Sequence, residues 1–94
     1  MRVLSKDTVE EGDLVFEVFP QTHFINLAIV IGFTAKMIRV KREYGESLTK
    51  PHFLIKITEQ QAIEYMNNRY AGFPDQTAYN RCAEIMEIFN ELKI

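Results

Sequence analysis

The chain has 94 residues and a mass of 11.0 kDa, enough for one domain with a folded surface of roughly 5,600 Å² against about 16,000 Å² unfolded. Hydrophobic residues make up 47% and charged residues 26%, which excludes a disordered chain. The single cysteine excludes an internal disulfide framework, and the net charge of −2 excludes a wholesale polycation or an acidic tail.

Residues Met1 to Asp7 carry no apolar h-region, so no secretory signal is expected there. The longest apolar run, Leu27 to Ile31, is too short to span a bilayer. One cysteine and no signal fit a reducing cytoplasm. Two histidines and one cysteine do not suffice for an independent structural zinc site.

In chain order, Glu10-Glu11-Gly12-Asp13 predicts a turn. It leads into a strand over Leu14 to Phe19, rich in β-branched and aromatic residues and stopped by Pro20. A second strand is expected over His23 to Ile31, followed by a hairpin connection at Gly32-Phe33-Thr34-Ala35 in which Gly32 supplies a positive φ. Lys36 to Arg42 alternates as a third strand, Glu43 to Pro51 is polar and reads as a loop, and His52 to Ile57 reads as a short fourth strand. The period then changes. Thr58-Glu59-Gln60-Gln61 matches a capping box, with Ala62, Ile63, Met66 and Tyr70 following at helical spacing. Gly72 and Phe73-Pro74-Asp75 form a corner, and Asp75 can cap a second helix. That helix carries a seam of Ala78, Cys82, Ile85, Phe89 and Leu92.

Strands followed by helices predict an α+β domain over residues 1–94. Its expected form is a small bent antiparallel sheet or an SH3-like barrel of four to five strands over 9–57, followed by a helical hairpin over 58–94. Both faces of the second strand are apolar, so it should be central and covered on both sides. A closed barrel would enclose Ile25, Ile29, Ile38, Val40, Phe53, Ile55 and Ile57, and would turn Phe24, Val30 and Leu54 toward the helices. The seam of the last helix can dock on its own sheet or on a second copy as a two-fold dimer. Ile94 suggests a docked end, and Tyr70 and Phe73 suggest core plugs at the corner between the helices.

The segments Glu11-Gly12-Asp13-Leu14-Val15, Ala28-Ile29-Val30-Ile31-Gly32-Phe33-Thr34 and Lys36-Met37-Ile38-Arg39-Val40 resemble the entry and hairpin of SH3-like small barrels of the KOW type. They are also similar in style to short accessory proteins encoded by bacteriophages, over residues 9–57. The resemblance implies a barrel that binds protein or nucleic acid and has no defined active-site residues. The helical third of the chain lies outside it.

Charge is segregated along the chain: residues 1–20 carry net −3, residues 21–56 net +4 and residues 57–94 net −3. Arg39 and Lys41 share one face of the third strand, Arg42 and Lys50 lie near the following loop, and Tyr44 among them can stack on a base. This block is either a nucleic-acid contact, a surface for an acidic protein, or a solvated wall. No GxGxxG, P-loop, HExxH or CxxC occurs. His23 and His52 read as strand-terminal or surface residues. Cys82 reads as core, and Glu84, Glu87 and Glu91 as a solvated ridge. Glu43 and Glu46 sit in a polar loop with no apolar wall, so they make a poor catalytic pair.

The expected function is therefore a non-enzymatic protein-binding module without cofactor, metal or membrane partner. The resemblance makes it a phage-encoded modulator or inhibitor of a host or defence protein. Its contacts would come from Phe33, Tyr44 and Phe73. The alternative is a nucleic-acid-binding barrel using Arg39, Lys41, Arg42 and Lys50. A weaker alternative is a small-molecule sponge holding an anion against Arg39, Lys41 or Lys50.

Overall fold

The alternating run that ends at Phe19 forms β1 (Leu14–Phe19), with the boundaries expected from the sequence. The computed structural model describes residues 9–19, 21–22, 24–43, 45–70 and 77–92, apart from the side chain of Ala78. The expected roles of His23, Tyr44, Ile94, the segment before residue 9 and the Gly72–Asp75 corner with Phe73 lie outside these residues.

β2 (Phe24–Phe33), β3 (Ile38–Arg42), β4 (Gly45–Thr49) and β5 (Leu54–Lys56) complete one antiparallel sheet in the order β4-β3-β2-β1-β5. β4 and β5 are its two edges, so the sheet is open and no barrel closes. α1 (Glu59–Tyr70) and α2 (Thr77–Leu92) follow. Neither helix is long and apolar enough to cross a membrane.

Three local expectations change. β2 runs on through Gly32, which carries no positive φ and sits at a bulge where the β2–β3 register slips between Val30 and Gly32. The turn instead lies at Thr34–Met37. There the Thr34 hydroxyl accepts from the Met37 N–H at 3.0 Å, and the Thr34 N–H donates to the Met37 carbonyl at 2.9 Å. The polar segment after Arg42 is a strand, β4, entered through Gly45 at φ +126°. Pro51–Phe53 is a single 3-10 turn, which shortens the last strand to three residues.

Two hydrophobic layers lie on opposite faces of the sheet. Leu14 of β1 and Leu27 and Ile29 of β2 pack with Ile57, Ala62, Met66, Tyr70, Cys82 and Ile85 under the helices. Val15, Ala28, Val30, Ile38, Val40 and Leu54 pack with Val9 on the other face. The expected barrel interior is therefore divided. Cross-strand partners share a face, so Val30, opposite Val40, joins the second layer, and Ile29, opposite Leu14, joins the first. Val30 and Leu54 consequently face away from the helices, and Ile57 lies beneath them. Ile25 and Phe24 are exposed at the end of the β1–β2 pair. β2 is central and buried on both faces from Leu27 to Val30, as its sequence requires.

The helices form as their sequences predict. At the start of α1, the Thr58 N–H donates to Gln61 Oε1 at 2.8 Å and the Gln61 N–H donates to Thr58 Oγ1 at 3.1 Å, a complete capping box. Ala62, Met66 and Tyr70 face the core, and Ile63 is exposed. Cys82 and Ile85 of α2 are fully buried against the sheet layer, so the seam docks on its own sheet. Its distal member Leu92 is exposed.

Candidate functional site

Every strand residue in the layer beneath the helices comes from β1 and β2. On that same side, β3 and β4 present Arg39 opposite Leu48 and Lys41 opposite Glu46. None of the four belongs to either hydrophobic layer, and Arg39, Leu48 and Glu46 are exposed. The result is an uncovered strip of sheet in which one large apolar side chain lies beside two cations. Lys36 in the β2–β3 turn and Lys50 after β4 are also exposed. The expected sharing of a face by Arg39 and Lys41 is thus realised, and Leu48, hidden in a segment read as loop, joins them.

Arg42 does not belong to this surface. It pairs with Ala28 on the opposite face and reaches across β2 to Glu17 of β1. Its Nη2 donates to Glu17 Oε2 at 2.9 Å, while Nε approaches Oε1 at 2.6 Å without the alignment of a hydrogen bond. Glu17 is fully buried, and the guanidinium also lies 6.0 Å from the Phe19 ring. A carboxylate in the middle of Leu14-Val15-Phe16-Glu17-Val18-Phe19, on a strand hydrogen-bonded on both sides, needs such a partner. That need was the sequence signal for the pair. With Arg42 neutralised internally, the basic surface reduces to Arg39, Lys41, Lys36 and Lys50. Phe33 sits at the hairpin tip opposite Ile38, on the face away from Arg39 and Leu48.

Glu43 also departs from its expected place. In the turn just after β3 it is only 4% exposed, and Glu46 is exposed on β4. Glu43 Oε1 lies 3.1 Å from the Tyr65 hydroxyl, 3.1 Å from the Tyr70 hydroxyl and 2.9 Å from Cys82 Sγ. The Tyr65 hydroxyl is also 3.2 Å from the Ile25 carbonyl, so its single proton serves one acceptor at a time. Burial first, and then the negative charge of Glu43, pushes the Tyr65 hydroxyl far above its ordinary value. Burial likewise raises Tyr70 and, reinforced by the hydrogen bond to Glu43, the Cys82 thiol. All three therefore act as neutral donors. Cys82 is a hydrogen-bonded core thiol that burial and Glu43 hold in the protonated form. The cluster ties the end of β3 to both helices and explains how the helix pair is held on the sheet.

A third feature lies at the open end of the β1–β2 pair. Phe19 and Phe24 are its last partners, and the Phe19 ring meets Phe53 at 5.3 Å, which in turn meets His52 at 4.4 Å. Arg69 of α1 borders the same end. Its Nε donates to the Tyr70 hydroxyl at 3.3 Å, and its guanidinium lies 5.8 Å from both the Tyr65 and Tyr70 rings. Among the described residues no three His, Cys, Asp or Glu side chains come together as metal ligands.

Comparison with protein-family models, with curated proteins and with solved structures finds no match to this chain.

Proposed function

We propose that the protein is a non-enzymatic protein-binding module whose contact surface is the uncovered strip of β3 and β4. One observation carries this reading: β3 and β4 contribute no residue to the apolar layer beneath the helices, and Leu48 is left exposed opposite Arg39. An apolar anchor beside cations suits a partner with an acidic rim around an apolar contact, with charge steering the encounter and the anchor supplying residence. β4 is an edge strand, so its outer backbone groups can add hydrogen bonds to an extended partner segment. The similarity in style of residues 9–57 to short phage accessory proteins favours a modulator or inhibitor of a host or defence protein, acting in the cytoplasm.

A photo-crosslinking amino acid placed at Leu48 tests this in a bacterial lysate. The expected result is one dominant protein adduct, absent when the same group is placed at Glu87 on the outer side of α2. Adducts of equal pattern from both positions, or none from Leu48, would overturn it.

A second reading, nucleic-acid binding, is favoured by one fact alone: Arg39 and Lys41 share one face of β3 and belong to neither hydrophobic layer. The internal pairing of Arg42 weakens it, since fewer cations means fewer released counterions. Reversing the charge of Arg39 and Lys41 together should abolish such binding, and unchanged affinity would remove this reading.

A further inference from the structure

Phe24 is 61% exposed, the most exposed large apolar side chain among the described residues, at the end of a strand otherwise built for burial. Ile25 beside it is also exposed, so the two side chains form a small apolar patch at this end of the sheet. Two cavities meet at its ring. One, of about 270 Å³, is lined by Phe19, Phe24, Asn26 and Arg69, and the other, of about 640 Å³, includes Phe24, Asn68 and Arg69. A third cavity of about 630 Å³ continues from Phe24 and Phe19 to Phe53. The cavities of about 640 and 630 Å³ each fall in the size range of small-molecule sites, about 300–1,000 Å³.

Its chemistry is specific. Phe24 offers an aromatic ring at one end of the cleft, beside the Phe19 ring that packs with Phe53. Arg69 offers an exposed guanidinium whose Nε donates to the Tyr70 hydroxyl. Asn26 and Asn68 add amides able both to donate and to accept. A stacking face, a fork-shaped cation and two amides together suit a ligand with a flat heteroaromatic ring, polar ring edges and an anionic group.

We infer that this cleft binds a nucleotide, with the base stacked on Phe24 and the phosphate held by Arg69. The nucleotide is either free or one unit of a single strand, because both present the same base and phosphate. The site lies at the opposite end of the molecule's logic from the β3–β4 strip: it uses none of Arg39, Lys41 or Leu48, so either surface can fail without the other.

Titration calorimetry with AMP and UMP, adenosine, inorganic phosphate and a six-residue oligoadenylate tests it on the full chain. Saturable binding of at least one mononucleotide is expected, weaker binding of adenosine, and none of phosphate alone. Phe24→Ala should weaken the mononucleotide at least tenfold. Arg69→Gln, checked for native circular dichroism, should erase the advantage of AMP over adenosine. Ile63→Ala, which removes an exposed apolar side chain elsewhere, should change nothing. Oligoadenylate binding equal to AMP identifies the free nucleotide. Much tighter binding that falls steeply with salt identifies a strand. No saturable binding by either mononucleotide or the oligonucleotide, or affinity unchanged by Phe24→Ala, overturns the inference.

Discussion

The Sγ of Cys82 lies 2.9 Å from Oε1 of Glu43, so a thiol on the last helix donates to a carboxyl group thirty-nine residues earlier in the chain. Tyr65 and Tyr70 converge on the same oxygen, and the helix pair is thereby fixed to the end of β3 as well as to the apolar layer. Replacing Glu43 with Ala leaves these donors without their shared acceptor, and a buried unpaired polar group costs about 1–3 kcal/mol. Glu43→Ala should therefore lower unfolding free energy by about 3 kcal/mol, read by denaturant titration. Glu43→Gln keeps an acceptor oxygen and should cost clearly less. Equal losses from the two variants would show that the acceptor oxygen is not what matters.

The same cluster gives stability a pH dependence. Tyr65, Tyr70 and Cys82 all have their folded values raised, so the folded state holds protons that the unfolded chain gives up first. This stabilisation is complete below the unfolded values, about 8.5 for cysteine and 10 for tyrosine. It is lost as pH rises through and above them. Stability should stay level with respect to these groups up to about pH 8 and fall progressively above about pH 9. In Tyr65→Phe and Cys82→Ala the alkaline slope should be shallower. An identical slope in both variants would assign the alkaline loss to other groups.

Glu17 and Arg42 form the other internal polar contact. Removing one partner of a buried pair strands the other charge, at a cost of about 3–5 kcal/mol. Arg42 is 24% exposed, so water can partly reach its side of the pair. Arg42→Ala should cost about 3 kcal/mol, and Arg42→Ala combined with Glu17→Leu should recover much of that loss. Additive losses in the double variant would mean the two residues act independently.

The capping box at the start of α1 has a smaller and separable effect. Thr58→Ala removes the acceptor for the Gln61 N–H and should cost about 1 kcal/mol, while Thr58→Asp should be nearly neutral. Thermal unfolding followed by circular dichroism measures both. A loss from Thr58→Asp as large as from Thr58→Ala would mean the cap is not the stabilising element.

The parts of this architecture that rest on local signals were legible in the sequence. The β-branched and aromatic run ending at Phe19 marks β1, the capping box opens α1, and the two-sided apolar run of Leu27 to Val30 marks β2 as central. β4 was not legible because an edge strand has one solvated face and one neighbour. Gly-Glu-Ser-Leu-Thr therefore shows the polarity of a loop while it pairs with β3 along its whole length. Barrel closure was overread because apolar residues on both faces of a strand are equally required by an open sheet with two layers. Glu43 was misplaced because its partners stand 22, 27 and 39 residues further on, beyond the reach of any spacing rule. A usable signal did exist: Tyr70 and Cys82 lie on apolar helix faces, and their polar atoms needed an acceptor from elsewhere. Of the candidate contact residues, Arg39 and Lys41 were placed together as their alternation implies. Arg42 was separated from them by a single step along the strand, which reverses the face.

On this reading the β3–β4 strip recognises a protein. The most direct measurement is capture from a bacterial lysate by the tagged wild-type chain and by the Arg39→Glu, Lys41→Glu double variant, each with and without nuclease. Mass spectrometry and a nucleic-acid stain read the eluates. The expected result is a stoichiometric protein that survives nuclease on the wild type and is lost from the variant. A protein retained equally by the variant, no stoichiometric protein at all, or recovery of nucleic acid alone would contradict the claim.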